Sequence, residues 1–287
     1  MDESLIVDEP LSHWLGLREP ADVAARSELL TRTIADALPA GEAVCALDLA
    51  TGTGSNIRYL MDRLPGGQRW LAVDRSAGLL AELRDRMSSF ECAIETRQRD
   101  LGTLDDREIF AGRDLVTASA LLDLVSAQWL RTLAEHCRAA GAAALFTMTY
   151  NGRSSCVPAE PEDDLVRHLM NRHQKTDKGL GGPALGPDAV SCAAQQFAKI
   201  GYHVEREPSD WTLGPEAADL QRMLIDGWAQ AATEMAPERL STVARWRERR
   251  LAHVDAGRSR LVVGHDDLAA WPPTVAEDHS TVFRRRR

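Results

Sequence analysis

The sequence predicts an α/β fold: a doubly wound, mostly parallel seven-stranded sheet with helices on both faces. Three observations carry that prediction. Short apolar runs alternate with stretches of helical period along most of the 287 residues, and such alternation builds βαβ units around a parallel sheet. One apolar run ends in a carboxylate and opens onto a glycine-rich turn. Polar residues then recur at or near the ends of the later runs, which is where a doubly wound sheet presents its ligand.

Taken in order, residues 1–40 form an N-terminal helical extension. Within 11–38 Pro20 ends or begins a helix, and Leu29, Leu30, Ile34 and Leu38 space an apolar stripe for docking on the sheet. The segment 44–56, VCALDLATGTGSN, reads as a buried strand closed by Asp48, a turn built on Gly52 and Gly54, and the start of a helix continued by Ile57, Leu60, Met61 and Leu64. Residues 69–74, RWLAVD, form a second strand ending in Asp74. A helix with Leu79, Leu80, Leu83 and Met87 on its apolar face follows, with Asp74 or Ser76 as its N-cap. Residues 93–99 read as a third strand running to Asp100 and Leu101, 114–120 as a fourth bearing Ser119, and 141–150 as a fifth ending at Tyr150. Residues 151–190 are an insertion with a helix over 161–174. Beyond it come a sixth strand within 201–213, helices over 216–235 and 238–255, a last strand over 259–264 and a tail from 276 to 287. The whole reads as a single domain with elaborations.

The turn at 52–54 implies a ligand, because glycines let a backbone approach one without a Cβ in the way, and the amides opening the next helix favour an electron-rich group. A dinucleotide site wants a third small residue three positions after the second glycine, and this chain has Ile57 there. Asp48, four residues before Gly52, would repel a pyrophosphate and suits a cationic or amino-bearing ligand. Asp74, twenty residues beyond Gly54, stands where a doubly wound fold offers an acid to ribose hydroxyls.

On these residues the chain resembles the class I S-adenosylmethionine (SAM) dependent methyltransferases, whose first motif is acidic-x-Gly-x-Gly-x-Gly; Ala50 stands at the first glycine. The resemblance covers roughly 43–150 by motif and the rest by element order alone. It implies SAM as cofactor and S-adenosylhomocysteine (SAH) as product, with the last strand antiparallel. It implies a donor site at Asp48, Ala50, Thr51, Gly52, Gly54 and Asp74, joined by Arg75, Leu101, Ser119 and Asp100, the last facing the adenine amine.

Composition narrows the rest. With 34 basic against 43 acidic residues the net charge is −9, which disfavours a broad phosphate-binding face and so a nucleic-acid substrate. The basic stretches at 238–251 and 284–287 read as a solvated helix face and a tail. The sequence type that follows the fourth strand in DNA amino-methyltransferases is absent. No apolar run approaches a membrane span and no signal peptide opens the chain, so a cytoplasmic location is expected. Five scattered cysteines without a CxxC pair read as free thiols, and no metal site is indicated.

For the acceptor, the sequence offers Trp14, Arg18 and Arg26 near the first helices, and Asn151, Arg153 and Lys178 after the fifth strand. Together the arginines and Lys178 would suit a small acceptor carrying an anionic group. Only three lysines occur in the chain, and Lys175 and Lys178 lie in the glycine-rich KTDKGLGGPALGP stretch, which reads equally as a lid and as a solvated loop. Methyl transfer needs a base only where the acceptor loses a proton, and Asp123, His173 and Tyr150 are the candidates. The expected function is methyl transfer to a small metabolite. An RNA or protein methyltransferase and a catalytically silent SAM-binding partner protein are the alternatives, and a homodimer is compatible with either.

Overall fold

The computed structural model describes residues 3–90 and 92–273; the basic run 284–287 lies outside them. In chain order the elements are α1 (Glu3–Ala25), α2 (Glu28–Ala37), β1 (Val44–Leu49), α3 (Ser55–Met61), β2 (Gln68–Asp74), α4 (Ala77–Met87), β3 (Ala93–Gln98), β4 (Leu115–Ser119) and α5 (Ala127–Ala140). Then follow β5 (Ala143–Val157), α6 (Asp163–Gln174), α7 (Ala189–Lys199), β6 (His203–Pro208), β7 (Trp211–Leu213), α8 (Ala218–Met235), α9 (Leu240–Asp255) and β8 (Arg260–Trp271). The strands form one sheet in the order β3-β2-β1-β4-β5-β8-β6, with β7 paired to β8. The first five strands are parallel, and β8 runs antiparallel to β5, β6 and β7.

Strand periodicity distributes the parallel strands' side chains between two cores. Leu47, Leu49, Leu71, Val73, Val116 and Ala118 face α5 and α7. Val44, Ala46, Trp70, Ala72 and Leu115 face α2, α3 and α4. Because both faces are covered, these strands read as continuous apolar runs, which is why they are visible in the sequence. A third core lies beyond them, where Met148, Tyr150, Trp211, Leu213 and Val263 are capped by α6, α8 and α9.

Four expectations are corrected. The sheet has eight strands, because the predicted sixth breaks at Pro208–Asp210: the Ser209 hydroxyl donates to Asp267 (2.7 Å) and Asp210 takes the His265 amide (3.0 Å). The fifth strand does not end at Tyr150; it continues to Val157, pairing with Arg260–Val263 across two bulges, so 151–157 belong to the sheet. Pro20 lies inside α1 and neither starts nor stops it. Tertiary contacts on both sides of the proline hold the helix, with Glu19 paired to Arg58 (2.7 Å) and Asp22 accepting from the Trp211 indole (3.0 Å). Leu29 is half exposed, and Thr31 is buried beside Leu30 and Ile34 in its stead.

Candidate functional site

A cavity of about 450 Å³ opens at the carboxyl ends of β1, β2 and β4. Its floor comes from the sheet and its roof from two segments the chain brings over it, α1 and residues 178–180. Asp48, Asp74 and Asp100 all line it.

Asp48 is fully buried at the end of β1. Its two oxygens accept from the Thr51 hydroxyl and the Asn56 amide, each at 2.6 Å, and Asn56 is braced in turn on Thr117 (3.1 Å). Burial pushes the carboxyl up to about 6 from 3.8, against the two hydrogen bonds and the nearby Arg26 charge. Asp74 binds the glycine turn itself: one oxygen takes the Gly52 amide (2.8 Å), the other the Ser76 amide (2.9 Å). The amides of Thr51 and Gly54 are spent on Val73 and Thr51 carbonyls. The turn therefore presents carboxylates to the cavity and keeps these amides for its own shape.

Gly54 does not line the cavity. It caps α3 at φ +83°, and a Cβ there would sit 2.9 Å from Leu83 Cγ, so its role is close packing of helix against helix. Ala50 does line it, at φ +50°, the left-handed region that makes glycine the usual residue at this step. Arg75, Leu101 and Ser119 are cavity residues as well, with Leu79 and Leu180 adding apolar wall. Asp100 takes the Gly102 amide at 2.9 Å and remains exposed.

The acceptor candidates separate. Trp14, Arg18 and Lys178 line the cavity, whereas Arg26, Asn151 and Arg153 do not. Arg18 donates Nε and Nη2 to Asp22 (2.9 and 3.1 Å) and lies over the Trp211 ring, 5.1 Å from its centroid. Arg153 points away to Asp210 (3.0 Å) and is largely exposed, with Asn151 accepting from it. Arg26 is buried against the Tyr59 ring (4.0 Å), with Nε and Nη2 unpartnered among the described residues. Burial lowers its pKa, countered by Asp267, Asp22 and Asp48.

None of the three candidate bases forms part of the cavity wall. The Tyr150 hydroxyl donates to Asn171 (2.8 Å), tying β5 to α6, and burial pushes its pKa above the ordinary value. Asp123 is buried beside Gln174 (3.3 Å) and pushed up to about 6 by burial. His173 faces Glu234 at 3.0 Å. The glycine-rich loop is pinned rather than open: the Ser126 amide donates to Leu180 (3.0 Å) and the Leu185 amide to Val125 (2.9 Å). Sequence reasoning missed Leu15, Asp22, Asn56 and Leu124 among the cavity residues. Asp22 had a signal, standing four residues after Arg18 on one helix face; Leu15 and Leu124 had none apart from their apolarity.

The donor set tests the implied cofactor. Two buried or half-closed carboxylates, a third at the rim and apolar walls from Leu79, Leu101 and Leu180 match a ligand bearing an ammonium, a diol and a planar base, and they repel a pyrophosphate. Residues 46–141 match the family described as a methyltransferase domain, a segment that runs from β1 through α5. No curated protein matches the chain. Among solved structures it is similar to a SAM-dependent methyltransferase from Geobacter sulfurreducens in complex with SAH, at 16% identity over 89% of this chain and 98% of that one, with a TM-score of 0.45. It is also similar to the cyclopropane synthase MmaA2 from Mycobacterium tuberculosis (10% identity, 83% and 82% covered, TM-score 0.45). The YcgJ protein of Bacillus subtilis is another (12%, 86% and 100%, 0.48).

Proposed function

We propose that this chain, whose residues 46–141 match a methyltransferase domain, is a class I SAM-dependent enzyme that moves the donor's methyl group to a small molecule. The observation that carries the reading is the convergence of Asp48, Asp74 and Asp100 on one roofed cavity. SAM supplies a methyl carbon already activated by its sulfonium. Asp48 would hold the donor's amino group, Asp74 its ribose hydroxyls through the lone pairs the backbone leaves free, and Asp100 with Leu79, Leu101 and Leu180 its base.

The chain's remaining task is to hold the acceptor in line and keep water out, an orientation effect worth up to roughly 7 to 11 kcal/mol. Trp14 and Leu15 on α1 and Leu180 from the glycine-rich loop supply apolar cover. The Nη1 edge of Arg18, which has no protein partner among the described residues, is a donor left for an acceptor oxygen, and Lys178 adds a second polar group to the wall. Asp22 already balances the Arg18 charge, so a single anionic or polar group suits this site better than a dianion. A roofed cavity and a net charge of −9 support a small acceptor over RNA. Among the described residues no helix is long and apolar enough to cross a membrane, and five free thiols suit a reducing, cytoplasmic setting.

Calorimetry with SAH tests the donor site, and incubation with methyl-tritiated SAM plus fractionated cell extract tests the acceptor class. Heat of association and label in the small-molecule fraction are expected. Label confined to RNA or protein would refute the small acceptor, and absence of SAH binding would refute the whole reading.

A further inference from the structure

A line of three titratable groups crosses the seam between α6 and α8 and ends in the cavity wall. Glu234, near the end of α8, lies 3.0 Å from His173 Nε2, and His173, in the last turn of α6, turns Nδ1 toward Lys178 Nζ at 3.5 Å. A carboxylate only accepts, so His173 donates from Nε2 and keeps its lone pair on Nδ1, facing the lysine. Lys178 itself lines the cavity, as do Trp14 and Arg18. The donor-binding residues use neither Glu234 nor this pairing.

We propose that Lys178 is the general base of the methyl transfer, with His173 and Glu234 as positioning residues that hold it and carry its proton away. This rests on the methyltransferase reading above and on an acceptor that bears an O–H or N–H. As the acceptor atom attacks the methyl carbon, the S–CH₃ bond breaks and its electron pair stays on the sulfur, leaving a neutral thioether. The acceptor keeps the electron pair of its X–H bond, and neutral Nζ takes the proton. The resulting ammonium donates to His173 Nδ1, and the imidazole releases its Nε2 proton toward Glu234 and solvent, to which both side chains are partly open.

The surroundings suit that role. Partial burial holds the Lys178 ammonium below its usual range, opposed by Glu234 from α8 and Asp123 from the turn after β4. Asp177, next along the chain, is turned to the Gly179 amide (2.7 Å). A donor carrying a positive sulfonium in the same cavity would disfavour the ammonium further. Lys175, by contrast, is paired with Asp188 at 2.7 Å on the exposed side of the loop.

With only three lysines in the chain, protein labelled with ¹³C at lysine Cε gives three resonances, assigned by substituting each lysine. Lys178 is expected to titrate at lower pH than Lys175 and Lys199, and His173→Gln is expected to move the Lys178 midpoint while leaving the other two in place. In the tritium assay, Lys178→Arg puts a guanidinium that cannot give up its proton in place of the base and lowers the rate by about 10²- to 10⁴-fold, the usual weight of a general base, with SAH affinity unchanged by calorimetry. His173→Gln shifts the midpoint of the pH–rate curve at unchanged SAH affinity. Lys178 titrating together with Lys175 and Lys199, or Lys178→Arg turning over at the wild-type rate, overturns the inference. Wild-type protein that binds no SAH overturns the methyltransferase reading, and the resonance titration still decides the relay.

Discussion

Replacing Asp48 by Asn is expected to stabilise the empty protein while weakening its hold on the donor. The carboxyl is fully buried and stands at about 6 in the fold against 3.8 for an ordinary aspartate. A carboxyl raised on folding contributes stability that is complete below the ordinary value and is lost as pH rises through the folded one. At pH 7 that loss is complete, and about 2 pKa units at about 1.4 kcal/mol each amount to about 3 kcal/mol. Asparagine matches the protonated carboxyl: its oxygen can take the Asn56 amide, and its amide can donate to Thr51, whose hydroxyl is free to rotate. Thermal unfolding should therefore show the variant about 6 °C or more above wild type at pH 7, at roughly 2 to 4 °C per kcal/mol, with the gap closing by about pH 4. Loss of a charge-assisted contact, about 1.5 to 3 kcal/mol, should weaken SAH roughly 10- to 150-fold in calorimetry. A variant no more stable than wild type at pH 7, or a stability gap that stays constant down to pH 4, would refute the argument that burial of this charge strains the fold.

Gly54→Ala should cost about 1 to 3 kcal/mol for driving a Cβ against Leu83 and about 1 to 2 more for the left-handed backbone, read as a lower urea midpoint. Arg250→Met leaves Asp163 without the guanidinium that forks onto it, and the loss is expected to be about 3 to 5 kcal/mol in the same assay. Arg153→Ala should change stability by less than about 0.5 kcal/mol and leave SAH affinity and turnover as they were, because the side chain faces Asp210 and solvent. Arg18→Met should raise the acceptor KM with SAH affinity retained; equal loss of both would place Arg18 in the donor site.

The rim of the sheet was legible because its signals are local. A strand buried on both faces must be apolar throughout, a turn that brings backbone close to helix must be small, and an acid at a strand's carboxyl end is carried to the rim by the sheet itself. Asp48, Asp74, Asp100, Ala50 and Gly52 could thus be assigned to one place before any coordinates, and all five line the cavity. Even there, local reading could not tell that Asp74 spends a lone pair of each carboxylate oxygen on backbone amides, or that Gly54 packs against Leu83.

The cationic side of the cavity was not legible, because its residues come from distant stretches whose directions only packing sets. Arg18, Arg26 and Arg153 look alike as arginines near strand ends or helices. The fold points Arg18 into the cavity between Trp14 and Trp211, buries Arg26 on Tyr59 and sends Arg153 to Asp210. The same holds for Pro20, which local propensity makes a helix boundary and tertiary contacts of Glu19 and Asp22 carry through. By itself the sequence determined the parallel sheet, its glycine turn and the acids at its rim, since periodicity and side-chain size are properties of adjacent residues. Only the tertiary structure decided which cations face the cavity, what roofs it, and that Glu234, His173 and Lys178 meet across two helices, since those depend on contacts between residues far apart in the chain.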